Sequence, residues 1–383
     1  MTKEKYKVGK LGFFAIFILS FLMSDYYYAG LGRPFDYVAI VLLIFLLNGI
    51  SFKLLINSFF LRAVPLFALA MLGLAVGFLS NNILLSIGIT IGILVIYTIS
   101  YSLARVENIV VIEDTVYTIL SISMALLFYQ FFYFYLFGGY IDYSGYFGSI
   151  NSRGYNTSLE FFRPHGIFQE PNGYCTAMFS LLALCKFFQN RRKIIENLAC
   201  LTMVISLSLW GIVGAILLLL VLNFSSVSKQ VAVIFMLFCI TLLLIDFSDL
   251  EELAETSITM DRIINFQDDA SIEGRLGGLR NIDWGFNFLF GYGIDEVGFQ
   301  DRYGANGFSF LLTSFGLVGS LLILFYFIWI TKFSIYSLIF ISYLLLTFPL
   351  FSYVYFWIWL GILVAICRNN LALDKPALLV KGI

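Results

Sequence analysis

Long apolar runs, broken by short polar punctuation, dominate this chain. The runs are continuous and lack the roughly ten-residue alternation of a membrane β-barrel strand. Many approach the about 20 residues that a helix needs to cross a bilayer. Read as helices, they predict spans near 11–29, 37–56, 64–80, 83–104, 116–137 and 172–188. The second half adds 194–209, 211–224, 230–247, 305–330, 333–351 and 353–368. Around Trp210-Gly211 the pattern leaves two options, a pair of short helices or one long tilted helix. The expected fold is therefore all-α: a polytopic integral membrane protein with about 12 spans, residues 1–383 forming one transmembrane domain.

Two polar stretches exceed turn length, 138–171 and 247–304. Loops this long in a compact protein are usually functional. The larger one carries twelve carboxylates against four arginines, a net charge of −8, so it belongs in water. Within it, 250–266 and 273–290 each suit a helix; Leu276, Leu279, Ile282 and Phe286 share a face, and Trp284 and Phe288 suit a membrane interface.

Composition agrees with the pattern. Hydrophobic residues make up 60% of the 383, charged residues 12%, and mean hydropathy is +0.92. A soluble domain carries about 25% charged residues. The formal net charge of −1 gives no field for nucleic acid. All five cysteines (Cys175, Cys185, Cys200, Cys239, Cys367) fall in apolar runs and read as small core residues. Residues 1–23 look like a signal sequence, but no small-x-small site follows, so an uncleaved first span is expected.

Charge then sets orientation through the excess of cations on the cytoplasmic side. With the N-terminus inside, sixteen lysines and arginines fall on the inner face and seven on the outer. Gln189-Asn-Arg-Arg-Lys193 is the strongest anchor. The outer seven (Arg33, Arg153, Arg163, Arg262, Arg275, Arg280, Arg302) are all arginine, whose planar fork suits phosphate or carboxylate. They would alternatively pair with the outer carboxylates.

The only histidine lies in Arg163-Pro-His165-Gly-Ile-Phe-Gln-Glu170-Pro-Asn, a polar cluster running into an apolar helix. Pro171 suits the first turn of that helix, whose positive end favours anions. A diphosphate there would meet Arg163. His165 is a candidate base for a sugar hydroxyl, or else a hydrogen-bonded structural histidine. Glu170 is a second catalytic candidate, or else a helix cap. In the second loop Arg275 and Arg280 flank Gly277-Gly278, which would let both reach one ligand. Trp284, Tyr303 and Asn306 are candidate sugar-binding groups; an interfacial aromatic belt is the bland alternative for the rings. One histidine and no outer cysteine give no metal-ligand spacing, and no metal or cofactor is expected. Neither an internal repeat, a phosphate loop ending in Lys-Ser or Lys-Thr, nor a Gly-x-Ser-x-Gly elbow is present.

Three stretches together resemble the O-antigen polymerase and ligase superfamily, the Wzy-type membrane glycosyltransferases. They are FFRPHGIFQEPNGY (161–174), GRLGGLRNIDWGFNFLFGYGI (274–294) and ANGFSFLLTSFGLVGSL (305–321). The first is similar to the family's Arg-x-x-Gly-x-x-x-x-Pro stretch, the second to the run in its large periplasmic loop, the third to the helix that follows. Where ligases of the family usually carry His-Asn, this chain has Ala305-Asn306, which favours a polymerase. The resemblance implies a GT-C-like fold in a bacterial inner membrane, with both termini cytoplasmic and a site facing the periplasm. It also implies metal-independent glycosyl transfer between undecaprenyl-diphosphate-linked oligosaccharides as donor and acceptor, with membrane lipid and a chain-length regulator as further partners. Arg163, Arg275 and Arg280 would hold diphosphates, and His165 or Glu170 would serve the acceptor hydroxyl. A ligase-type transfer to another acceptor is the nearer rival. A flippase is the farther one, disfavoured because span interiors are nearly free of charge.

Overall fold

The computed structural model describes residues 10–19, 34–47, 97, 100–101, 109–143, 155–156, 161–223, 285–291, 307–331, 334–347 and 354–373. The helices are α1 (Lys10–Phe17), α2 (Pro34–Leu47), α3 (Ile109–Phe137), α4 (Pro171–Cys185), α5 (Lys193–Ile205) and α6 (Leu209–Asn223). After them come α7 (Phe286–Phe290), α8 (Gly307–Ile330), α9 (Ile335–Thr347) and α10 (Val354–Leu373). Two dipeptides, β1 (Tyr155–Asn156) and β2 (Phe161–Phe162), pair antiparallel, Tyr155 with Phe162 and Asn156 with Phe161. The described residues are thus almost wholly helical. Among them one helix, α3, is long and apolar enough to cross a membrane, and several shorter apolar helices accompany it. The spans expected at 64–80 and 230–247, and nearly all of 83–104, lie outside the described residues.

The centre of the bundle is α4. Every residue from Pro171 to Cys185 is buried, which suits a helix that is apolar on all sides. It packs against α3, α5, α6 and α9. From α10, Trp359 donates its indole N–H to the Ser180 carbonyl at 2.7 Å.

One end of the bundle is charged. There Arg192 meets Asp114 at 2.6 Å, and Tyr117 donates to Glu196 Oε1 at 2.7 Å. Lys186 and Arg191 donate to the last carbonyls of α6, Val221 and Leu222, each at 2.7 Å. These cations satisfy acceptors that a helix C-terminus leaves over. They include part of the Gln189–Lys193 anchor, which the sequence placed on the inner face.

From this end α5 runs outward and α6 returns, and Asn223 donates to Asn197 Oδ1 at 3.0 Å where they close. Helices α4, α5 and α6 have 15, 13 and 15 residues, about 20–23 Å each at 1.5 Å per residue. The break between α5 and α6 falls at Ser206–Ser208, just before the Trp210-Gly211 boundary expected from sequence, and one long helix is excluded. Leu207 takes the left-handed conformation there, at φ 52°. Neighbouring serines support it: Ser206 donates to the Met203 carbonyl at 2.7 Å, and Ser208 Oγ accepts from Gly211 N at 3.4 Å. Gly211 itself serves close approach to Cys175 in α4.

Two other boundaries move. Helix α3 begins at 109, well before the expected 116, because Asp114 finds Arg192 and need not sit in a loop. The long run 307–330 is interrupted at Gly316, at φ 64° and ψ −174°. The backbone of Leu289 and Phe290 lies against that break, and Gly291, at φ 84°, sits against Ser314 and Gly316. Any Cβ at Gly291 would come 2.6 Å from Gly316 N. The end of the second long loop is therefore docked, backbone to backbone, in a helix interruption. Of the helix expected at 273–290, only 285–290 falls among the described residues, and 286–290 is helical.

Candidate functional site

At the end opposite the charges, the chain between β2 and α4 folds into the bundle. Phe162 is buried, with its ring centroid 4.8 Å from that of Phe134 and 5.4 Å from that of Tyr140. Pro164, His165, Gly166 and Phe168 are buried too. A turn closes from Phe168 N to the His165 carbonyl at 3.2 Å, with Gly166 at φ 58°. Irregular backbone in such a place needs every polar group satisfied.

Gln130 of α3 does much of this. Its Oε1 accepts from His165 N and from Gly166 N, both at 2.9 Å. Its Nε2 donates to the Ile141 carbonyl at 2.8 Å. One amide thus ties α3, the segment after it and the histidine loop together. Replacing Gln130 with leucine leaves two buried N–H groups without acceptors, at about 1–3 kcal/mol each. A fall of at least about 2 kcal/mol in stability is expected, read as a lower thermal midpoint in detergent.

His165 is fully buried. Its Nδ1 contacts the Phe168 carbonyl oxygen. A carbonyl only accepts, so Nδ1 carries the proton, and in the neutral ring Nε2 is a bare lone pair. That Nε2 is buried without a hydrogen-bond partner. Burial pushes the ring's basicity below the ordinary histidine value; the Phe168 carbonyl and Asp142 pull it back up, and Arg163 lowers it further. The ring is neutral at pH 7.

The same turn starts α4. Glu170 holds the N-cap position with extended backbone, φ −145° and ψ 155°, but its side chain makes no cap hydrogen bond. The capping role considered for it is not taken up. Pro171 opens the helix, as the sequence implied, and Tyr174 N makes the first helical bond to the Glu170 carbonyl at 3.3 Å. Beneath it, Tyr174 donates to the Thr202 hydroxyl at 2.7 Å. The Arg163 guanidinium lies where its charge acts on both His165 and Cys175.

Arg163, His165 and Glu170 therefore share one loop-to-helix turn. Arg275, Arg280, Trp284, Tyr303 and Asn306 lie outside the described residues. Two polar residues that the sequence reading passed over belong to the site. Gln130 is an uncharged interruption in an otherwise aromatic run. Asn172 is an amide directly after the helix-opening proline, and both of its side-chain polar atoms are buried without a partner. Among the described residues no group of three or more His, Cys, Asp or Glu side chains is placed to hold a metal ion. The four described cysteines are free and buried.

Such an arrangement offers a neutral base, a nearby guanidinium charge and a helix start without a side-chain cap. No protein-family model, curated protein or solved structure matches this chain.

Proposed function

We propose that this chain is an integral-membrane glycosyltransferase that polymerises undecaprenyl-diphosphate-linked oligosaccharide units, working without metal at the periplasmic edge of a bacterial inner membrane. The observation that carries the reading is His165, held by its Nδ1 with a bare Nε2 beside Arg163. In the reaction the acceptor hydroxyl gives its proton to Nε2 as its oxygen bonds the anomeric carbon of the donor sugar. The bond from that carbon to the diphosphate oxygen breaks, and the leaving group takes the electron pair. Arg163, with Arg275 and Arg280 from the second loop, meets the resulting negative charge. Glu170 orients the acceptor.

Position supports the same setting. Gln130 lies sixteen residues beyond Asp114 on α3, about 24 Å along the helix axis. With the charged end at the cytoplasmic face, the histidine loop falls near the far edge of a hydrocarbon layer about 30 Å thick. A twelve-span topology with both termini inside completes the reading, and Ala305 in place of the ligase histidine favours polymerisation.

The test is purified protein in lipid nanodiscs with an undecaprenyl-diphosphate-linked repeat unit, EDTA and no nucleotide. A ladder of products on the undecaprenyl carrier is expected. Unchanged lipid-linked unit overturns the proposal, transfer to lipid A-core makes the protein a ligase, and translocation without new bonds makes it a carrier. In the same assay Arg163→Ala is expected to slow polymerisation on the order of 10²–10³-fold, as when one oxyanion donor is removed. A chain-length distribution unchanged in both Arg163→Ala and Arg280→Ala would sink the diphosphate assignment.

A further inference from the structure

Asn172 is the second residue of α4, only 8% exposed, and neither its Oδ1 nor its Nδ2 has a hydrogen-bond partner. Leaving an amide in that state costs about 1–3 kcal/mol per group. A helix start gains nothing from it structurally, since Glu170 occupies the N-cap and Thr176 bonds only the Asn172 backbone carbonyl, at 2.9 Å. The unmet demand of the turn is therefore specific. Asn172 Oδ1 and His165 Nε2 each seek a donor, and Asn172 Nδ2 seeks an acceptor.

An ionised diphosphate offers acceptors only. It would satisfy Nδ2 and set its own negative oxygens against two lone pairs. A sugar offers both functions, through ring hydroxyls or through the N–H and carbonyl of an acetamido group. We propose that Asn172 is a specificity-determining residue that reads the sugar of the lipid-linked substrate through a paired donor and acceptor, while the phosphates are left to the guanidinium groups. The inference rests on the glycosyl-transfer reading and adds to it the part of the substrate that this turn recognises.

The experiment compares wild type with Asn172→Leu in nanodiscs. Three probes are titrated: undecaprenyl diphosphate, undecaprenyl-diphospho-N-acetylglucosamine and undecaprenyl-diphospho-glucose. Wild type is expected to bind at least one sugar-bearing lipid about tenfold or more tighter than the bare diphosphate, because its buried amide is paired only by sugar. Asn172→Leu is expected to bind all three within about twofold, with affinity for the bare diphosphate unchanged. Greater loss for the N-acetyl sugar names the acetamido group, and equal loss names the hydroxyls.

Without lipid, the thermal midpoint of Asn172→Leu should match or exceed that of wild type, since a buried unpaired amide has been removed. Asn172→Asp is the second variant. A carboxylate suits a helix N-terminus, yet it lacks the donor and should lose the same preference.

A preference kept in both variants overturns the inference and leaves the glycosyl-transfer reading standing. So does a lowered midpoint with all three lipids lost alike, which would make Asn172 structural. Wild type binding none of the three lipids overturns both.

Discussion

His165→Gln is expected to slow glycosyl transfer on the order of 10²–10⁴-fold, the usual contribution of a positioned general base. Glutamine is chosen because it keeps much of the ring's length and stays neutral, while the basic lone pair is lost. Wild type supplies a second signature through pH. The base form is the neutral ring, and burial holds its pKa below the ordinary 6.5. The rate should therefore be flat above pH 6.5 and fall only in more acid solution, where Nε2 takes a proton and no longer accepts one. In His165→Gln that acid limb should disappear. The same depressed pKa bears on folding: the native state binds fewer protons than the unfolded chain, so stability from this group is present above 6.5 and declines as pH falls through the folded value. A variant with full activity, or one with an unaltered acid limb, removes His165 from the chemistry.

Glu196→Ala is expected to be the most destabilising change at the charged end, by about 3–5 kcal/mol, the range for breaking a buried pair from one side. The Glu196 side chain is 1% exposed. It accepts from Tyr117 OH at 2.7 Å and from both Arg191 Nε, at 3.3 Å, and Arg191 NH2. Its loss leaves a buried phenol without an acceptor and a guanidinium, itself only 19% exposed, bonded to the Leu222 carbonyl alone. Glu196→Gln, which keeps the shape and one acceptor, should recover part of the loss. Thermal unfolding in detergent decides it, and a change below about 0.5 kcal/mol would show that the pair is surface-like.

What could be read from sequence follows from the physics of each signal. Continuous apolar runs announce helices locally, so most of the described helices fall where expected. Pro171 announces the start of α4 for the same reason. The Arg-Arg-Lys turn announces an end of the bundle, but not Asp114 and Tyr117 as partners of Arg192, because they lie 78 and 75 residues away. The break at Ser206–Ser208 carries no glycine or proline; a leucine in the left-handed conformation is held there by its neighbours, and no local rule signals it. Gln130 was invisible because its acceptor serves two backbone N–H groups 35 and 36 residues later. Asn172 was passed over because a polar residue in a first helical turn is ordinary until the surroundings prove apolar. His165, Arg163 and Glu170 stood out because ionisable groups are rare in this chain.

Helices α5 and α6, which turn Leu198, Leu201, Val213 and Ile216 outward, are each one to two turns too short for a hydrocarbon layer of about 30 Å. In the proposed setting the outer leaflet must dimple above them, since the alternative is lipid tails pressed on a polar loop. Headgroups would ride down that depression, so a lipid-borne sugar meets the histidine turn without leaving its leaflet. Acyl length would then control the proposed reaction: thicker bilayers should resist the dimple and slow it.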